Sequence, residues 1–210
     1  MNYLHRYIQQ IMYTLDQLPQ LPLRRIADAL WATYERDGTI IVCGNGGSAS
    51  TASHFACDLT KWTIRDGARR VRSLALTDNM ALLTAWSNDQ GYADVFVEQL
   101  RSLYRPGDLV FAISGSGKSP NVLRAIQWAN EMGASTIGLT GFDGGLLDHL
   151  AQTTLHVDNQ MMPQVEDIHS TVCHALAVNL GYQIEDMLAH TLEVAPAGVL
   201  LERVVGGGSL

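Results

Sequence analysis

Four side chains capable of acid–base or metal chemistry occur in two helical segments of this 210-residue chain. His54 and Asp58 are spaced i and i+4, so both project from one helical face. Glu166 and His174 are two turns apart on the last predicted helix, roughly on one side, whereas His169 points elsewhere and is interpreted as structural. Two carboxylates and two imidazoles can carry out acid–base chemistry or hold zinc. Folding can bring the four together.

Each of these residues also has a simpler interpretation. His54 can be a surface histidine, and Asp58 and Glu166 can be solvated helix charges. His174 lies in an apolar helix and can be a core histidine bonded to a carbonyl group. The sequence leaves these alternatives open.

Two loops rich in glycine and serine each follow an apolar, strand-like run and precede a helical pattern. Small residues allow a ligand to approach the backbone, and the start of a helix presents N–H groups and a positive dipole end. The loops therefore predict a binding site for a phosphorylated small molecule. Their residues are Gly44-Asn45-Gly46-Gly47-Ser48 and Ser114-Gly115-Ser116-Gly117-Lys118-Ser119.

Nucleotide binding is the main competing interpretation of these loops. Residues 44–49 fit the dinucleotide pattern G-x-G-x-x-A, but Asp66 precedes the next strand and Asp78 follows too late to be the expected acidic partner. Gly117-Lys118-Ser119 imitates the end of a P-loop, yet the first glycine of that motif would fall at Ala112, inside a strand. A third interpretation, that both are ordinary tight turns, stays open.

The elements that must position these residues alternate between strands and helices, which is typical of a parallel α/β sheet covered on both faces. Strands are predicted at Thr39–Cys43, Val71–Leu76, Leu109–Ser114, Thr136–Thr140 and Thr154–Val157. Helices are predicted at Tyr3–Leu18, Pro22–Arg36, Ser50–Lys61, Asn79–Ser87, Ala93–Tyr104, Pro120–Met132 and Val165–Leu188.

Composition favours one compact domain over residues 1–190, followed by a C-terminal tail of residues 191–210 that we expect to be flexible. No apolar segment approaches the roughly 20 residues of a membrane span, and the N-terminus does not resemble a signal peptide. We therefore expect a cytoplasmic protein with three reduced cysteines and no membrane partner. A net charge of −7 disfavours a nucleic-acid partner.

The two N-terminal helices carry apolar stripes at helical spacing. Such a pair can pack on a partner subunit, or it can simply cover its own domain. The stripe of the first helix consists of Leu4, Ile8, Ile11, Met12, Leu15 and Leu18.

Taken together, the chain resembles the sugar isomerase (SIS) domain family, and within it the phosphoheptose isomerases, from the N-terminal helices to about Leu188. The resemblance implies a flavodoxin-like three-layer fold, with a five-stranded parallel sheet between helices, and a homo-oligomer, either a tetramer or a dimer. It also implies conversion of sedoheptulose 7-phosphate to an aldose heptose 7-phosphate through an enediol. The motifs that carry it are the two loops, Ser87-Asn88-Asp89 and Asp167-Ile168-His169.

The same resemblance implies roles for individual residues. Asp58 is placed as the base and His174 as the acid, with Asp89 as a further active-site carboxylate, although Asp89 can also cap a turn with Asn88. The positions that bind zinc in some members are His54, Asp58, Glu166 and His174. The phosphate and sugar contacts are placed at Asn45, Gly46, Gly47, Ser48, Asn88, Ser114, Gly115, Ser116 and Ser119.

Four positions depart from the family pattern. Asp58 stands where members usually have Glu, and Glu166 where they usually have Gln, so both charge and reach change at the implied site. Pro163 occupies the place of a frequent active-site Asp, and Trp62 that of a substrate-contacting Arg. These departures leave open a different sugar phosphate, or a non-catalytic module that binds phosphosugars.

Overall fold

The computed structural model describes residues 2–194, in which five strands and eight α-helices follow one another with one short 3₁₀ helix at Tyr92–Asp94. The strands are β1 Thr39–Gly44, β2 Arg72–Ala75, β3 Leu109–Ser114, β4 Ser135–Thr140 and β5 Thr153–His156. The helices are α1 Tyr3–Asp16, α2 Gln20–Glu35, α3 Gly47–Lys61, α4 Met80–Asp89, α5 Val97–Leu103, α6 Pro120–Glu131, α7 Leu147–Leu150 and α8 Met162–Val194.

All five strands are parallel and form one sheet in the order β2-β1-β3-β4-β5. Successive residues of a strand point to opposite faces, and the apolar runs of β1 and β3 are buried on both. Ile40, Val42 and Phe111 pack in a core with α2, α3 and α8, whereas Ile41 and Val110 pack with α5 and α6. The fold is therefore the three-layer α/β sandwich that the sequence predicts.

The strand order reverses between β1 and β3. From β1 the chain adds β2 on one side, and β3 then pairs with the other side of β1. In open α/β sheets, the crevice beyond the carboxyl ends of the two strands at such a reversal is where ligands bind. Gly44 ends β1 beside Ile113 of β3, so the two predicted phosphate loops leave the sheet next to each other.

The predicted elements are confirmed, with shifted ends. α3 begins at Gly47, inside the first loop, rather than at Ser50. The helix predicted at 93–104 is divided into the 3₁₀ helix and α5, and the four-residue helix α7 was not predicted. α8 continues to Val194, into the segment expected to be a tail, and residues 195–210 of that tail lie outside the described residues.

The apolar stripe of α1 is divided between two surroundings. Ile11 and Leu15 pack against the core formed with α8, and Leu18 is buried there. Ile8 and Met12 are 55% and 64% exposed, and with exposed Leu4 they repeat every four residues along one outer face of the helix. Tyr3 and Tyr13 are also exposed but project in other directions.

Crossing a bilayer requires a long helix of apolar composition, and none of the helices within residues 2–194 meets that requirement.

His169 is buried in the core, which agrees with the structural role that the sequence analysis gives it. It lies on α8 with no exposed surface, and its Nε2–H donates to the carbonyl oxygen of Thr140 at 3.1 Å. Burial lowers its pKa to about 4, because charging the ring in this place would remove a cation from water, although the Thr140 carbonyl partly opposes the shift. His169 is therefore neutral at pH 7.

Lowering the pH from 7 to 5 is expected to reduce the free energy of unfolding by about 2 kcal/mol through His169. Its pKa is about 4 when folded and about 6.5 when unfolded, so the unfolded chain binds the proton more tightly and stability falls as the pH drops through this window. Urea unfolding at the two pH values measures the loss. In His169→Gln the loss should be smaller by about this amount, and an equal loss in both proteins would contradict the assignment.

Candidate functional site

The first loop forms a tight entry into α3. Gly46 has φ +55° and ψ −123°, a conformation that residues with a side chain rarely adopt, and it caps the helix. Gly47 and Ser48 follow in the first turn, where the backbone N–H groups have no earlier helical carbonyl to bond. The positive end of the α3 dipole thus lies at the carboxyl end of β1.

The second loop brings serine hydroxyls to the same place. Ser114 ends β3, and its hydroxyl lies 3.4 Å from that of Ser119, the residue that precedes α6. Pro120 occupies the first position of α6, as predicted, but the Ser119 side chain makes no capping hydrogen bond. The Ser116 hydroxyl accepts a hydrogen bond of 3.3 Å from the backbone N–H of Lys118.

Between the loops lies a cavity of about 160 Å³. It offers four hydroxyl groups, two of them on the buried residues Ser48 and Ser114. Hydroxyls and helix N-termini favour an anion, so the arrangement suits a phosphate group. The lining residues are Asn45, Ser48, Ile113, Ser114, Gly115, Ser116, Ser119, Met162 and Glu166.

Asn45 is held by a neutral network that the sequence did not reveal. Its side-chain amide and that of buried Asn121 donate to each other's oxygen, both at 2.9 Å. The Tyr92 hydroxyl also donates to Asn45 Oδ1 at 2.8 Å. The pair ties the loop after β1 to the start of α6. Asn121 adjoins the second loop, but nothing in its sequence context indicates a partner 76 residues away.

His54, Asp58 and His174 form a compact group at the seam between α3 and α8. The ligand atoms of the three side chains lie within 4.8 Å of one another. One carboxylate oxygen of Asp58 lies 3.6 Å from His54 Nε2 and the other lies 3.5 Å from His174 Nε2. The two rings meet edge to face, with centroids 4.8 Å apart. Two imidazoles and a carboxylate at these distances could hold a metal ion.

This group is open to solvent. The side chains of His54 and His174 are 58% and 49% exposed, and that of Asp58 is 24% exposed. Neighbouring Cys173 is buried, and burial together with the negative charge of Asp58 raises the pKa of its thiol. Cys173 is therefore an inert neighbour, and the three exposed or half-exposed groups are available to a ligand.

Glu166 does not join the group, contrary to the prediction that all four come together. Its carboxyl group lies at the serine-lined cavity and against Gly47, where a methyl group would overlap it. The physical reason is axial distance, since two helical turns separate Glu166 from His174 by about 12 Å even though both face α3.

Asn88 and Asp89 lie at the exposed C-terminal end of α4, where the Asn88 side-chain amide donates to the Asp89 carboxylate at 2.8 Å. Lys118 pairs with Asp143 at 2.7 Å on the surface, and this bond lowers the pKa of the Asp143 carboxyl.

Two of the positions that depart from the family pattern are exposed. Trp62 follows the end of α3, and Pro163 lies in the first turn of α8.

Comparisons with known proteins agree with this geometry. The model of the SIS domain family matches residues 3–141. A phosphoheptose isomerase of Aliarcobacter butzleri is 36% identical over 178 residues, which cover 83% of this chain and 94% of that protein. The lincomycin biosynthesis protein LmbN of Streptomyces lincolnensis is 41% identical over 162 residues, which cover 72% of this chain and 59% of LmbN.

A solved structure shows the same likeness in three dimensions. The phosphoheptose isomerase GmhA of Neisseria gonorrhoeae superposes with a TM-score of 0.78 at 31% sequence identity. The superposition covers 86% of this chain and 95% of that one.

Replacing Asn121 with Ala is expected to lower the free energy of unfolding by about 2 kcal/mol, because the buried Asn121 amide is lost and the half-buried Asn45 amide loses its reciprocal partner. Replacing Tyr92 with Phe removes one bond from an exposed hydroxyl and should cost less than about 1 kcal/mol. Chemical denaturation of the two variants measures both values. Equal losses would contradict the central place of Asn121 in the network.

Proposed function

The chain belongs to the SIS domain family, and we propose that it is an aldose–ketose isomerase that interconverts sedoheptulose 7-phosphate and D-glycero-D-manno-heptose 7-phosphate. The observation that carries the proposal is the Asp58–His174 pair on the same helical seam as the serine-lined cavity. The relatives named phosphoheptose isomerase support the choice of substrate.

The distance between the serine-lined cavity and the His54–Asp58–His174 group suits a sugar phosphate. Ser48 and His54 are six positions apart on α3, which corresponds to about 9 Å along the helix axis. An extended seven-carbon chain with bonds of about 1.5 Å spans a similar distance from its phosphate to its carbonyl end. A substrate held by its phosphate in the cavity therefore reaches the His54–Asp58–His174 group with its reacting carbons.

The phosphate is held by groups that do not take part in the proton transfer. In this proposal the hydroxyls of Ser48, Ser114, Ser116 and Ser119 donate to its oxygens, and the N-terminus of α3 complements its charge. The backbone at Gly46, Gly47 and Gly115 allows close approach, and Asn45 closes one side. Binding at this end positions the other end of the sugar.

The isomerisation moves a proton between adjacent carbons. The Asp58 carboxylate takes a proton from C1 of the ketose, and the electron pair of that bond forms the enediol double bond. The ketone oxygen takes a proton from His174. Returning the proton to C2 and releasing the one on the C1 hydroxyl gives the aldose. Asp89 and Asn88 are proposed as further contacts of the sugar.

The His54, Asp58 and His174 side chains fit zinc, because two imidazoles and one carboxylate match the three protein ligands of a catalytic zinc site. A bound zinc ion supplies a Lewis acid that polarises a carbonyl oxygen. Glu166, the fourth ligand that the resemblance implies, points to the cavity instead.

We also propose that the protein is a homo-oligomer, a tetramer or a dimer, that acts in the cytoplasm. The exposed apolar face of α1 formed by Leu4, Ile8 and Met12 supports assembly, since large apolar side chains grouped on one exposed face are typical of an interface. Cys57 supports a reducing compartment, because it is a free thiol on the surface.

Incubation with sedoheptulose 7-phosphate in deuterated water, followed by NMR, tests the proposed function. We expect an aldose with deuterium at C2, the carbon next to its carbonyl, because the enediol exchanges its proton with solvent. Turnover should fall by about 10²-fold or more in Asp58→Asn and in His174→Ala. Runs with EDTA and with added zinc show whether the metal contributes.

The matched control is His149→Ala, which removes an exposed histidine on α7, away from the seam, and should keep the normal rate. Unchanged turnover in Asp58→Asn and His174→Ala would contradict the assigned roles. Sugar-phosphate binding without any exchange would instead indicate a non-catalytic binding module.

Replacing Met12 with Asp should break the proposed assembly, because the change places a charge in an interface that buries the α1 face. Light scattering after size exclusion is expected to show a smaller particle than for the unchanged protein. Met132→Asp, at the end of α6, is the control, since Met132 is also exposed but lies off that face. A single particle size for all three proteins would rule out this interface.

A further inference from the structure

Glu166 places a negative charge in the cavity that is proposed to take a negative ligand. Its side chain is half-buried, lines the cavity with the four serines, and lies against Gly47 in the first turn of α3. No hydrogen-bond donor or cation within residues 2–194 is paired with its carboxylate. The space beside the start of α3 is therefore held by an anion that belongs to the protein.

A carboxylate and a phosphate are both anions, and the positive end of the α3 dipole attracts either of them into this cavity. In a partly buried cavity their mutual repulsion is screened less than in bulk water. The carboxylate therefore weakens the binding of a phosphate beside the start of α3.

We propose that Glu166 is an internal competitor of the phosphate: its carboxylate lies in the cavity beside the start of α3 and its charge opposes the charge of a bound phosphate. The inference rests on the phosphate role of the cavity in the proposed function. Its consequence is a lowered affinity for every phosphate-bearing ligand, so that contacts to the sugar must supply the rest of the binding free energy. Inorganic phosphate alone then binds weakly.

The test is a titration of inorganic phosphate at pH 7.5, followed by calorimetry, against the unchanged protein and Glu166→Gln. EDTA in the buffer keeps metal off the His54–Asp58–His174 group, so any role of Glu166 as a metal ligand does not enter the measurement. The amide of Glu166→Gln has nearly the same shape as the carboxylate but no charge. We expect the dissociation constant of phosphate from this variant to be about tenfold lower than from the unchanged protein. Glu166→Ala, which removes the carboxyl group altogether, should also lower the dissociation constant of phosphate.

Two further variants separate the cavity from general charge effects. Glu35→Gln removes one negative charge from the exposed end of α2, which precedes β1 and so lies at the amino ends of the strands, whereas the cavity lies at their carboxyl ends. Its dissociation constant should stay within about twofold of the unchanged protein. Adding Ser116→Ala to Glu166→Gln should cancel much of the gain, because the phosphate loses a hydroxyl donor of the same cavity.

The outcomes are distinct for the inference and for the proposed function. Tighter binding in Glu166→Gln and Glu166→Ala, but not in Glu35→Gln, supports the internal competitor. Measurable binding that is equal or weaker in both Glu166 variants overturns it and leaves the phosphate site intact. A phosphate concentration of about 50 mM would largely saturate a site of millimolar affinity. If neither the unchanged protein nor any variant binds phosphate at that concentration, both the inference and the phosphate role of the cavity are overturned.

Discussion

The parallel packing of α3 along α8 is the constraint on which the candidate site depends. Two contacts follow the seam in the same order on both helices, with Gly47 against Glu166 and Asp58 beside His174. Just beyond the end of α3, Arg65 continues this order with a bond of 3.0 Å to Glu185 of α8. Both helices are anchored on the same face of the sheet by buried side chains such as Phe55 and Ile168. The register of two helices therefore decides which functional groups meet.

The sheet supplies the other half of the geometry. β1 and β3 end side by side, so the two loops open into one cavity, and α3 starts there while α8 passes it. The Asn45–Asn121 pair then ties the loops together with uncharged groups. Because this pair is neutral, it holds the loops together without adding a charge to the cavity that we propose as the phosphate site, whereas Glu166 adds a carboxylate to it.

The sequence predicted the strands well because each is a short apolar run bounded by turn residues, and burial on both faces leaves little choice of structure. It misplaced the start of α3, since the helix begins within the glycines that also form the turn. It grouped Glu166 with His174 because periodicity reports which side of a helix a residue faces and does not report axial reach. Asn121 escaped prediction because its contact with Asn45 exists only once the sheet has formed.

The group at the seam combines one contact that is local with one that is not. His54 and Asp58 are on the same helix, so their separation follows from helical geometry and survives any shift of α3 against α8. The contact of His174 with Asp58 crosses the seam and lasts only while the register holds. Asp58 is short, and its two oxygens already face different imidazoles, which leaves little reach to follow a moving partner. The buried apolar residues between the helices, among them Leu59 and Leu176, thus fix the chemistry of the site as well as the stability of the fold.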